Sequence, residues 1–159
     1  MPNNARDYNP VSSGLFLGII GPPKAGKSYM ARSAARLGKT FAFLAPSAEA
    51  ASYAGCDMEY EVLVDDAWRP SEGKFVASAY KTLMARLKEL EARDDLRVLI
   101  FDTMSAGPSE AIWHDVMSYY GSDDPRQLKN SREPYVTYRS RMTELLDRLD
   151  LLRDRKSVV

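Results

Sequence analysis

Apolar positions along the chain fall into two patterns. Apolar runs occur at 15–20 (LFLGII) and 97–101 (RVLIF), lengths that suit strands covered on both faces of a parallel sheet, and 40–45 (TFAFLA) and 60–64 (YEVLV) are further strand candidates. The first run stops at Gly21-Pro22-Pro23, through which no helix can continue. Between the runs the period lengthens. Residues 27–37 (KSYMARSAARL) are helix formers closing at Gly38, a residue type that ends helices in a left-handed conformation. Over 75–90, Val76, Tyr80, Leu83, Met84, Leu87 and Leu90 recur at steps of three and four and predict an amphipathic helix. A shorter helix is expected from about Pro108 to Gly121, and a long one over 136–152, with Tyr138, Met142, Leu145, Leu149 and Leu152 on one stripe.

This order of elements predicts an α/β domain over 14–159, a mostly parallel open sheet with helices on both faces and right-handed crossovers. Residues 15–20 and 97–101 are expected to be parallel neighbours. Residues 1–13 are polar and read as a flexible arm, and KSVV at 156–159 reads as the beginning of a further strand: either the sheet is incomplete at the C-terminus, the favoured expectation, or the tail is a short edge or a disordered end.

Composition narrows the class without changing the layout. The 159 residues, 45% hydrophobic and 28% charged, suit one folded domain. Twenty-two basic and twenty-two acidic side chains cancel, so any polyanion site must be local. A single cysteine, Cys56, a start without a signal-like apolar region and no run near the ~20 residues of a bilayer span point to the cytoplasm and to no membrane partner.

The chemistry concentrates at Gly21-Pro22-Pro23-Lys24-Ala25-Gly26-Lys27-Ser28, a full match to G-x-x-x-x-G-K-[ST] set between an expected strand and an expected helix. Backbone N–H groups of such a loop and the positive end of the helix converge on one anion site. Gly21 to Ser28 and the following Tyr29 are therefore the candidate cradle for ATP, with Lys27 reaching the β and γ phosphates and Ser28 ligating Mg²⁺. Lys24 either touches phosphate or points to solvent. A magnesium site of this kind also needs an acid at the carboxyl end of a neighbouring strand, and Asp102 follows the apolar Val98 to Phe101 directly. No N-K-x-D guanine-reading motif occurs, which disfavours GTP.

On GPPKAGKS at 21–28, RVLIFDT at 97–103 and the spacing between them, the chain resembles the RecA-like P-loop ATPases, most closely the small phage-encoded ones of recombination and single-strand annealing. The resemblance implies a host-cytoplasmic, DNA-dependent ATPase, a homo-oligomer with nucleotide at subunit interfaces, and catalytic roles for Lys27 and for a glutamate after the second strand. Here Ala45, Pro46 and Ser47 fill the nearest positions, and Glu49 is the first acid. It is the candidate general base, against a reading as an exposed loop acid. Thr103 stands where the family often has serine; its hydroxyl either reaches the γ phosphate or water, or caps the next turn.

Charge is unevenly spread. Between Phe41 and Trp68 lie Glu49, Asp57, Glu59, Glu61, Asp65 and Asp66 with no Lys or Arg; the resemblance to RecA-like ATPases, which assemble with neighbours, implies a surface for a neighbouring subunit's basic face. Arg126, Lys129, Arg132, Arg139 and Arg141 stand against Glu133 alone, with Tyr135 and Tyr138 among them. Cations with interleaved aromatics suit single-stranded DNA, with Arg126, Lys129, Arg132, Tyr135 and Arg139 as the candidate contacts; a solvated basic face is the plainer reading. His114 reads as structural, and Met30, Met84, Met104, Met117 and Met142 as core filler. Two functions compete with the DNA-dependent ATPase: a small-molecule kinase with 121–134 as a lid carrying Arg126 and Arg132, and a hydrolysis-deficient nucleotide-binding assembly module.

Overall fold

The computed structural model describes residues 17–153 and 157–158; the expected N-terminal arm lies outside them. The architecture is α/β. In chain order the elements are α1 (Lys27–Ala34), β1 (Thr40–Leu44), β2 (Glu59–Val62), a hairpin of β3 (Trp68–Arg69) and β4 (Lys74–Phe75), α2 (Ala79–Glu91), β5 (Val98–Asp102), α3 (Glu110–Tyr120), α4 (Glu133–Arg153) and β6 (Ser157–Val158). The main sheet runs β2-β1-β5-β6, and every pair in it is parallel.

Alternation along the two central strands divides the core. Phe41, Phe43 and Leu99 face α2, α3 and α4, where Leu83, Leu87, Ile112, Leu145 and Leu149 are buried with them. Full burial of each such side chain contributes about 1.5–3 kcal/mol. Ala42, Leu44, Val98 and Ile100 face the other way, toward Ala31 of α1 and Tyr53 of the short helical turn Ser47–Tyr53. Because side chains alternate with a period of two, Asp102 continues the face of Val98 and Ile100. That face is the one carrying α1, which delivers the acid to the side of the sheet where the glycine loop lies.

Several expectations need correction. Residues 17–20 form no strand, and Ile20 is 99% exposed; residues 15 and 16 lie outside the described residues. The β5 edge is paired instead with β6, Val98 opposite Ser157 and Leu99 opposite Val158, so 15–20 is not the parallel neighbour of 97–101. Apolar character alone does not choose a strand's partner, and Gly18 weakens the run as a strand. The KSVV expectation fares better, Ser157 and Val158 being paired in the sheet.

The first helix gives way after Ala34 to a tight 3₁₀ turn, Ala35–Leu37, and Gly38 ends it at φ 142°, ψ −163° rather than in the left-handed helical well. Phe75 belongs to β4, paired with Trp68 around a turn in which Gly73 has φ 65°, and Val76 lies exposed ahead of α2. The start of α2 is set by Asp65, whose Oδ1 accepts from the amides of Ser78 (2.6 Å) and Ala79 (2.8 Å). The last helix begins at Glu133, with Pro134 tolerated in its first turn. No helix among the described residues is long and apolar enough to cross a membrane.

Candidate functional site

The loop before α1 is shaped for an anion. Lys24 has φ 64° and Gly26 φ 82°, left-handed values that are routine for glycine and cost a lysine about 1–3 kcal/mol. No side chain caps the N-terminus of α1, and its first turn carries no acid, so its N–H groups and partial positive charge are directed at the loop. Lys27 folds back over the loop, its Nζ donating to the carbonyl oxygens of Gly21 (3.0 Å) and Pro22 (2.8 Å).

Around this loop opens a cleft of about 1050 Å³. Its lining brings together Gly21, Pro23, Lys24, Gly26, Lys27, Ser28 and Tyr29 from the loop and α1, Glu49 from the turn after β1, and Asp102 and Thr103 from the end of β5. Pro22 and Ala25 complete the loop through the bond from the Ala25 amide to the Pro22 carbonyl (3.3 Å). Tyr29 is 74% exposed, its ring forming part of the outer wall.

Two hydrogen bonds organise the acids. The Ser28 hydroxyl donates to Glu49 Oε2 (3.1 Å), and the buried Tyr53 hydroxyl donates to Asp102 Oδ2 (2.9 Å). A serine hydroxyl has one proton and two lone pairs, so donating to Glu49 leaves its oxygen free to ligate a cation. Burial, then the hydrogen bond and charge of Asp102, push the Tyr53 phenol well above its usual range, which keeps it a donor. Thr103 Oγ1 accepts from the Ala106 amide (3.2 Å), capping the following turn while its side chain borders the cleft.

The described residues contain no cluster of three or more His, Cys, Asp or Glu side chains that could hold a metal. Magnesium does not require one: it takes one or two protein oxygens beside phosphate oxygens and retained waters. Ser28 and Asp102 on one cleft, next to an anion cradle, fit that donor set.

No family model, no curated protein and no solved structure matches the chain. The case for a function rests on this cleft and on the basic segment.

In the basic segment, Arg126, Lys129, Arg132, Tyr135 and Arg139 are all exposed. Arg126 is paired with Asp124 (2.9 Å), while Lys129, Arg132 and Arg139 have no ion-pair partner among the described residues. Tyr135 is 58% exposed and its ring lies 5.4 Å from Trp113. Tyr138 is half-buried against the core and hydrogen-bonded to Ser109 (2.7 Å), so it is no free platform. Arg141 is committed to Asp115 and to the face of Tyr80.

Two acids of the acidic stretch, Glu59 and Glu61, are paired with cations of the chain itself. Glu59 meets Lys39 (3.1 Å) and Arg93 (2.8 Å), which hold its carboxyl at about 2, and Glu61 meets Arg86 (2.8 Å). Asp65 Oδ2 also accepts from His114 Nδ1 (3.1 Å), and that ring stacks on Trp68 at 4.4 Å. His114 thus has the structural place expected of it. Met117 is fully buried and Met84, Met104 and Met142 pack on the core, but Met30 is 56% exposed and is not core filler.

Tyr53 is the site residue that sequence reasoning missed. Forty-nine positions separate it from Asp102, and no local pattern marks the pairing. The only available signal is that Tyr53 follows Glu49 within one short turn.

Proposed function

We propose that the chain binds ATP with magnesium in this cleft and is a RecA-like P-loop ATPase stimulated by single-stranded DNA, of the kind that serves phage-type recombination or replication. The observation that carries the reading is the convergence of Lys27, Ser28, Glu49 and Asp102 on one cleft at the carboxyl ends of parallel strands. The loop amides and Lys27 hold the β and γ phosphates, and Ser28 and Asp102 hold the magnesium, which when bound draws charge from the phosphate oxygens. Glu49 serves as general base: Oε2 accepts the hydrogen bond of the Ser28 hydroxyl, and Oε1 is left to accept from water and take its proton. Arg132, Tyr135 and Arg139, exposed about the start of α4, supply cations and a stacking ring to the DNA. A homo-oligomer with nucleotide at its interfaces belongs to the same reading.

None of residues 121–134 lines the cleft, so its lining adds nothing in favour of a kinase lid carrying Arg126 and Arg132. The hydrolysis-deficient module differs from the ATPase only in turnover. Steady-state ATP hydrolysis measured with and without single-stranded DNA separates them: the ATPase reading expects a DNA-dependent increase abolished in Glu49→Ala. Absence of hydrolysis under both conditions favours the module, and turnover that requires a small acceptor favours the kinase.

A further inference from the structure

The turn Ser47–Tyr53 has contacts on both sides of the cleft. Glu49 accepts from Ser28, while four residues later Tyr53 donates to Asp102, and between them the Ser52 carbonyl accepts from Arg32 of α1 (3.5 Å). Ala50 and Tyr53 are packed into the core beneath α1. One seven-residue turn therefore reaches both groups assigned to the cation.

We infer that Tyr53 is a positioning residue for Asp102, holding its carboxylate in the one orientation from which it serves a magnesium ion at the Ser28 side of the cleft. The inference rests on the proposed nucleotide site and adds a residue to it. Asp102 is only 5% exposed and Tyr53 4%. A carboxylate so buried needs a donor, and a buried phenol needs an acceptor, so each fixes the other. Tyr53 occupies one of about four lone-pair sites on Asp102 and leaves the remainder for the cation's shell. The arrangement is that of an outer partner orienting a metal-binding carboxylate, and loss of such partners typically lowers metal affinity about 10- to 100-fold.

The test uses the full chain and no turnover. Mg²⁺ is titrated by calorimetry into protein saturated with ADP, and ADP is separately titrated in the presence of a chelator. For Tyr53→Phe the inference expects Mg²⁺ affinity to fall about 10- to 100-fold while metal-free ADP affinity stays within about twofold. An unchanged Mg²⁺ affinity overturns it, as does an equal loss of both affinities, which a merely structural tyrosine would produce. If wild-type protein binds ADP and the variant alone misbehaves, the nucleotide reading survives; if wild-type protein binds no ADP, both fall. Should Tyr53→Phe fail to fold because it leaves the buried Asp102 charge without its donor, the same pair of titrations is run on Asp102→Asn and on Tyr53→Phe/Asp102→Asn, in which no charge is stranded. With the carboxylate gone there is nothing for Tyr53 to orient, so the two are expected to bind Mg²⁺ equally, and a further tenfold loss in the double variant refutes the inference.

Discussion

Replacing Lys27 with alanine separates a role in phosphate binding from a role in the fold. The ammonium lies 3.0 Å from the Gly21 carbonyl oxygen and 2.8 Å from that of Pro22, both in exposed surroundings. Attraction between unit charges 4 Å apart near a protein surface is about 4 kcal/mol. Against this stand the two exposed carbonyl hydrogen bonds given up on meeting a phosphate, together worth about 0.5 kcal/mol. The difference, about 3.5 kcal/mol, converts at 1.4 kcal/mol per decade to a loss of about 300-fold in MgATP affinity. Stability should hardly move, because exposed contacts of this kind are worth about 0.5 kcal/mol or less and alanine is a good residue for the first turn of α1. That bounds the Tm shift at about 2 °C. Calorimetry with a slowly hydrolysed ATP analogue, paired with thermal denaturation, reads both quantities. Unchanged affinity would refute the phosphate cradle, and a Tm drop of ten degrees would show that the loss reports unfolding.

Asp102→Asn should weaken Mg²⁺ binding to the nucleotide-loaded protein far more than metal-free ADP binding; calorimetry showing equal losses would make Asp102 a structural residue. Lys129→Ala/Arg132→Ala should weaken single-stranded DNA binding and flatten its log–log salt slope by about 1.4, whereas Tyr135→Ala should cost about 1–3 kcal/mol at an unchanged slope. Fluorescence anisotropy over a salt series distinguishes the two, and an unaltered slope in the double variant removes this surface from the account. Burial alone would raise the pKa of Asp65, but hydrogen bonds from His114 and the Ala79 and Ser78 amides outweigh it and hold the carboxyl below its usual value. Its contribution to stability is therefore fully present above about pH 4 and is lost as pH falls through the lowered folded value. Asp65→Asn should cost about 0.5–2 kcal/mol near neutrality and flatten the acid limb, as read from urea midpoints across pH; an unchanged limb would show that another carboxylate governs it.

What the chain's pattern discloses depends on how local the physics is. The strands at 40–44 and 98–102 are legible because both faces are covered, Phe41, Phe43 and Leu99 on one side and Ala42, Leu44 and Ile100 on the other, so positions 41–44 and 98–101 are all apolar. The same reasoning misreads 15–20, because hydrophobicity records the wish to be buried and not the strand that will accept the pairing. Likewise the true start of α2 is fixed by Asp65, 13 and 14 residues upstream of the amides it caps, across a hairpin. A helical period cannot report a cap so distant. The loop motif and Asp102 were legible as chemistry, since spacing and a preceding apolar strand are local signals. Glu49 was legible only as a candidate, and its place beside Ser28 depends on how the Ser47–Tyr53 turn packs under α1. Tyr53 was illegible for the same reason, being a tertiary partner.

The most direct test of the account is a calorimetric titration of the wild-type chain with a slowly hydrolysed ATP analogue, with Mg²⁺ and then with chelator. The cleft built by Lys27, Ser28 and Asp102 predicts saturable binding at one site per chain, tighter with Mg²⁺ than without it. Absence of binding at millimolar nucleotide in both conditions would contradict it.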